Sequence, residues 1–216
     1  ANDIINVSTA CDDIFRVVSL NDEEVNQLKV KFKITKPFIM YSGGADERKN
    51  LPALIKALSE LPGTLRETYD FVLAGKLSQF DIDNLNHYAR KYKLEHMSMV
   101  MTGYVSDEEL VRLYNMCSLF VFPSWHEGFG LPALEALACG AVVIGADNTS
   151  LPEVIGIEEA LFDPYSVADI REKITHVLTN QALYRTLKEK GLVRAQVFSW
   201  KNSAEVALAA IEEVVC

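Results

Sequence analysis

Six short apolar runs alternate with stretches of helical periodicity, and this alternation limits what the chain can fold into more than any other feature. The runs are PFIMYSG (37–43), YDFVLAG (69–75), MSMVMTG (97–103), SLFVFPS (118–124), AVVIGAD (141–147) and EALFDP (159–164), most of them closed by Gly, Ser or Asp as strands feeding loops are. Between them lie helical patterns: Leu51, Leu54, Ile55 and Leu58 behind an expected Asn50 N-cap; Ile82, Leu85, Tyr88 and Tyr92; and Leu110, Leu113, Tyr114 and Cys117 behind a Ser106/Glu109 capping box. Strands alternating with helices pair in parallel through right-handed crossovers, and runs that are apolar throughout need helices on both faces. The expected fold is therefore α/β: a Rossmann-like doubly wound sheet of about six parallel strands.

After about residue 165 the pattern is helical only, through Val167, Ile170, Ile174 and Val177, then Leu183 and Leu187, then Val206, Ala210, Ile211 and Val214. Residues 1–36 read as a linker plus one short helix around DEEVNQL, residues 37–200 as the sheet domain, and residues 201–216 as a C-terminal helix. A net charge of −9 argues against a nucleic-acid surface, so an anionic ligand needs a local cluster of cations. Cys11, Cys117, Cys139 and Cys216 are scattered without a C-x-x-C pair, which predicts reduced thiols and no zinc site. No stretch approaches the roughly 18 to 20 apolar residues of a membrane span.

In open parallel sheets ligands sit outside the carboxyl ends of the strands, and the polar clusters of this chain fall there. SGGADERKN (42–50) follows the first run and carries Gly43, Gly44, Arg48 and Lys49; PSWHEGFGLP (123–132) follows the fourth; GADNTSLPE (145–153) follows the fifth. The second cluster opens a helix with Gly128, Phe129, Gly130 and Leu131, and it is flanked by Glu127 and Glu135 with seven residues between them. A glycine-rich turn at a helix start holds an anion on main-chain N–H groups, and Pro132 sits in the first turn, where a missing N–H costs least. Asp81-Ile82-Asp83 is not read as a metal motif, because the helical pattern places it at a helix start.

GGADERKNLPALIKAL taken with EGFGLPALEALACGAVVIGAD and LPEVIG resembles the nucleotide-binding, C-terminal half of the large retaining glycosyltransferase family of the GT-B fold (group 1, family 4 type), over roughly residues 37–200. Its GGxDxRKN variant is most similar to bacterial mannosyltransferases of surface-polysaccharide synthesis. The resemblance implies transfer of a hexose, mannose from GDP-mannose, from a nucleotide-diphosphate donor to a glycan or lipid-linked acceptor. It implies front-face displacement assisted by the leaving phosphate, with no cofactor and no metal. Glu127 would contact donor-sugar hydroxyls and Glu135 the nucleotide ribose. Lys49 and Arg48 would neutralise the diphosphate, Arg48 standing in for the arginine that the family usually places where this chain has Gly44. The backbone at Gly43, Gly44, Gly128, Phe129, Gly130 and Leu131 would approach the donor, Tyr104 and Val105 would meet the nucleobase, and Ser150 and Glu153 would lie beyond the diphosphate.

The opening ANDIINVSTACDDIF resembles the interdomain linker and first strand of that half, so the acceptor is expected on an N-terminal domain outside this chain. A cytoplasmic enzyme, reaching the inner membrane face through that domain, is the implied setting. A nucleotide-sugar epimerase and a non-catalytic sugar-nucleotide binding module share the pattern; a phosphorylase would need a lysine for pyridoxal phosphate, and none has a convincing context. The competing readings of the charges are ordinary ones: Glu127 and Glu135 as helix-entry acids, Lys49 and Arg48 as a solvated pair. His126 is expected on the surface or in loop packing, and Trp125 and Trp200 in packing.

Overall fold

The computed structural model describes residues 4–215; Ala1 to Asp3, the start of the expected linker, and Cys216 lie outside the described residues. All six apolar runs are strands: β1 (Phe38–Ser42), β2 (Asp70–Ala74), β3 (Met99–Met101), β4 (Leu119–Phe122), β5 (Val143–Ala146) and β6 (Leu161–Phe162). They pair in parallel in the order β3-β2-β1-β4-β5-β6. The chain enters at the centre, builds outward to β3, then crosses to the far side of β1 at β4. The crevice above β1 and β4, where Ile39 and Met40 register with Leu119 and Phe120, is the topological switch point at which such sheets hold ligands.

Every residue of β1, β2, β4 and β5 is buried, as strands covered on both faces require. The helices are α1 (Asp22–Phe32), α2 (Leu51–Ser59), α3 (Gly63–Thr68), α4 (Gln79–Lys91), α5 (Asp107–Met116), α6 (Leu131–Ala138), α7 (Leu151–Ile155), α8 (Val167–Thr179), α9 (Gln181–Ala195) and α10 (Trp200–Val215). α2 packs against α4 and α8, while α6 packs against α5, α7 and α9, giving one helical layer on each side of the sheet. α8 and α9 touch each other, so the chain past residue 165 wraps from one layer to the other. α10 leaves Leu208 and Ile211 exposed. Trp200, expected in packing, is 59% exposed at the start of that helix.

Of the strand expected within residues 1–15 nothing forms among the described residues: residues 4–21 contain no strand. Asp12 turns the chain locally, its carboxylate accepting from Ile14 N and its carbonyl from Phe15 N, a pattern that competes with extended pairing. The segment is then clamped to α5 by one side chain, for Asn115 accepts from Val18 N and donates to Arg16 O. The short helix is α1, closed by a reciprocal capping box between Asn21 and Glu24.

The expected Ser106/Glu109 capping box on α5 is present, and Ser78/Asp81 form another on α4, which puts Asp81 in that helix's first turn and Ile82 and Asp83 directly after it. Asn50 does occupy the N-cap position of α2, but it caps nothing with its side chain. Its backbone is left-handed (φ 55°), and its buried amide donates to Pro123 O at 3.1 Å and Pro164 O at 2.8 Å. Three strand-end loops are thereby joined through one side chain.

Candidate functional site

The loop after β1 is held by its own strand and by β2. Gly43 N donates to Ala74 O, and Tyr41 OH donates to Gly44 O at 2.8 Å. Burial, and next the Glu127 carboxylate, push the Tyr41 phenol far above its usual range, so it serves as a donor and never as an anion. Gly43 has φ 132°, and a Cβ there would stand 2.9 Å from the Tyr41 hydroxyl. The loop closes in a single 3-10 turn, Glu47–Lys49. Trp125 N donates to Arg48 O at 2.7 Å, tying this turn to the loop after β4.

That tie brings the cations onto Glu127. Lys49 Nζ lies 2.6 Å from Glu127 Oε1 and 5.3 Å from the centroid of the Phe122 ring, and Arg48 Nη1 lies 3.5 Å from Glu127 Oε2. Arg48 Nε also meets Asp46 Oδ1 at 2.7 Å, and Nη1 donates to His126 O. Lys49 is buried, which is not the solvated pair of the ordinary reading, whereas Arg48 is half-exposed. His126 itself is exposed, as expected of a surface histidine.

The glycine turn is braced from the loop after β5. Thr149 Oγ1 accepts from Glu127 N at 3.2 Å, Ser150 Oγ contributes a hydroxyl shared between Glu127 O and Phe129 O, and Asn148 donates to Trp125 O. Gly130 is needed where it stands: φ is 103°, and a Cβ would lie 2.6 Å from Leu151 Cδ2. A Cβ at Gly128 would meet nothing within 4 Å. The N–H groups of Gly128, Phe129, Gly130 and Leu131 bond to no acceptor among the described residues. Four consecutive unpaired donors at the start of α6, with Lys49 and Arg48 around the adjoining acid, suit a ligand that is anionic and hydroxyl-bearing.

Glu135 stands apart from this cation cluster. It lies one turn into α6, half-buried, and makes no ion pair among the described residues. Tyr114 OH donates to its Oε2 at 3.0 Å, and Ser42 Oγ lies 2.7 Å from the same phenolic oxygen. Burial raises the Glu135 pKa, the Tyr114 hydrogen bond opposes that, and Asp107 adds to it. The sequence pattern marks Tyr114 only as an apolar helix position. The signal that would have singled it out is chemical: a tyrosine on a buried helix face needs a partner for its hydroxyl.

The remaining predicted residues are dispersed. Val105 is partly buried and Tyr104 is exposed beyond β3. Glu153 accepts from Asn6 at the N-terminal segment. A cavity of about 630 Å³ opens beside the loops, lined by Asp46, Lys56, Phe80, Tyr88, Tyr92 and Trp125, and takes in none of Lys49, Glu127 or Glu135. No group of three or more His, Cys, Asp or Glu side chains suited to a metal occurs among the described residues. No helix among the described residues is long and apolar enough to cross a membrane.

Comparison with known proteins agrees with the fold. The family model described as Glycosyl transferases group 1 matches residues 22–194. The serotype-specific mannosyltransferase WbdA of Escherichia coli is 43% identical over 205 residues, covering 95% of this chain and 25% of its own length. The O-antigen chain mannosyltransferase B of Escherichia coli is 37% identical over 165 residues, covering 76% of this chain and 43% of its own. Among solved structures, sucrose-phosphate synthase from Thermosynechococcus elongatus superposes with a TM-score of 0.79 at 22% identity, over 97% of this chain and 52% of that one. Anabaena HepE in complex with UDP and glucose gives 0.76 at 17% identity, over 95% and 55%. The chain thus spans about a quarter of the length of WbdA.

Proposed function

The chain belongs to the group 1 glycosyl transferases, and from that premise we propose that it is the donor-binding half of a retaining mannosyltransferase that takes mannose from GDP-mannose and passes it to a glycan or lipid-linked acceptor. The mannosyl specificity is carried over from the names of its Escherichia coli relatives. The observation that carries donor binding is the run of four unpaired N–H groups from Gly128 to Leu131. Fixed main-chain donors cradle a diphosphate without reorganisation, and they are most effective as charge builds on the leaving group. Arg48 and Lys49 supply the positive charge beside them. Glu127 accepts from the sugar hydroxyls and Glu135 from the ribose, since a carboxylate is an acceptor at every lone pair.

In this reading the bond between the anomeric carbon and the diphosphate oxygen breaks on the face where the acceptor oxygen arrives. The departing oxygen takes the acceptor's proton, so no protein nucleophile is consumed. The acceptor is assigned to chain beyond this domain, since the chain spans 25% of the length of the mannosyltransferase WbdA. A ligand that binds only the folded chain stabilises it by about 2.7 kcal/mol at a hundredfold excess over Kd, and so raises its unfolding midpoint. GDP-mannose and GDP are expected to raise the midpoint, while UDP-glucose and ADP-glucose do so weakly. If UDP-glucose gives the larger shift the sugar assignment is wrong, and if no nucleotide acts the donor-site reading fails.

A further inference from the structure

The donor direction in the Ser42, Tyr114 and Glu135 chain follows from elementary chemistry. An ionised carboxylate only accepts, so the Tyr114 proton points at Glu135 Oε2; the Tyr114 oxygen then accepts the Ser42 proton. Ser42 closes β1 and Tyr114 lies on α5, so two elements fix one carboxylate on a third. Tyr114 is wholly buried, held edge-on against Phe120 at 5.4 Å and Phe15 at 6.2 Å between ring centroids. Its hydroxyl therefore cannot swing to water. A donor that itself accepts a hydrogen bond is strengthened.

We propose that Tyr114, backed by Ser42, is a positioning residue that locks Glu135 with one oxygen occupied and the other presented to the ribose hydroxyls of the donor nucleotide. The assignment of the nucleotide rests on the function proposed above. The lock is needed because no cation among the described residues pairs with Glu135. The groups around it are the Tyr114 hydroxyl and Asp107 from α5, the Cys11 thiol from the N-terminal segment and Cys139 just past the end of α6. None carries positive charge. Burial lifts Cys11 to about 11 and Cys139 to about 12, so both stay neutral thiols at physiological pH. Of these surrounding groups, Tyr114 is the one recorded as donating a hydrogen bond to the carboxylate.

Two measurements test this. The first needs no nucleotide: the Glu135 carboxyl carbon is followed by NMR against pH in the wild-type chain, Ser42→Ala, Tyr114→Phe and the double variant. The midpoint is expected to rise from wild type to Ser42→Ala and further to Tyr114→Phe, with the double variant matching Tyr114→Phe. An unchanged midpoint in Tyr114→Phe overturns the proposal. The double variant leaves no orphaned hydroxyl, so it stays informative if Tyr114→Phe folds poorly.

The second is calorimetric titration of GDP at several pH values, with Glu135→Gln as the control for ionisation of the phosphate itself. Tyr114→Phe is expected to weaken GDP about tenfold near neutrality and to recover part of that as pH rises, while Glu135→Gln shows no such recovery. If Glu135→Gln binds GDP as the wild type does, the ribose assignment is wrong. If it weakens GDP and Tyr114→Phe does not, only the positioning role is lost.

Discussion

Lys49 Nζ is 2.6 Å from Glu127 Oε1, and the two side chains are 10% and 9% exposed. The cation assigned to the leaving group and the acid assigned to the sugar therefore hold each other in this structure. They are 78 residues apart in sequence. Under the proposed function a donor would be shared between them: its diphosphate would draw Lys49, and its sugar hydroxyls would take the place of Lys49 on Glu127.

Removing the lysine costs more than a surface charge would. Lys49→Ala leaves the Glu127 carboxylate with Arg48 alone, at 3.5 Å. Breaking a buried pair from one side costs roughly 3 to 5 kcal/mol, and with Arg48 still present about 3 kcal/mol is expected. For a chain of this size that is roughly 6 to 12 °C in Tm. Thermal unfolding of Lys49→Ala checks it, and the double variant Lys49→Met with Glu127→Leu should regain most of the loss. A Tm equal to wild type would return Lys49 to the solvent.

The same pairing separates nucleotide from sugar. Glu127→Gln frees Lys49 and Arg48 for the diphosphate, so GDP should bind more tightly, on the order of tenfold for one charge-assisted bond gained. GDP-mannose should gain less, since its sugar loses an anionic acceptor. Calorimetry with both ligands reads the difference directly. Weaker GDP binding would show that Glu127 itself supports the nucleotide.

Two glycines of one turn should part company. At Gly130 the left-handed backbone (φ 103°) and the 2.6 Å approach to Leu151 Cδ2 predict that Gly130→Ala destabilises the fold by about 1 to 3 kcal/mol, ligand or none. At Gly128 the space is open and φ is not in the left-handed region, so Gly128→Ala should keep or raise stability by up to about 1 kcal/mol. Its donor affinity should nonetheless fall, because the methyl group keeps the ligand off the backbone. Urea unfolding and GDP-mannose titration of both variants test the pair. Full affinity in Gly128→Ala would place the donor elsewhere.

The parts of the site legible in the chain are those whose chemistry is local. The glycine turn, its proline and the flanking acids could be read as a helix-start anion site because a turn's backbone needs are written in its own residues. Lys49 and Arg48 could be placed after β1 for the same reason. Their pairing with Glu127 could not, since it depends on how two loops meet. Asn50 shows the limit within a single residue: its sequence neighbours describe a helix cap, while its amide serves Pro123 and Pro164 on two other loops.

Periodicity by itself determined the six strands, the helices α2, α4 and α5 between them and the parallel, two-sided sheet, because alternation and burial are properties of successive side chains. Only the tertiary structure decided that β1 and β4 lie side by side, and with that neighbourhood came the contacts that define the site: Trp125 on Arg48, Lys49 on Glu127, Ser42 on Tyr114 and Tyr114 on Glu135. The same packing left residues 4–21 without a strand and Trp200 exposed. Hydrogen-bond partners and burial depend on which surfaces meet after the chain has crossed the sheet, and no window of neighbouring residues contains that information.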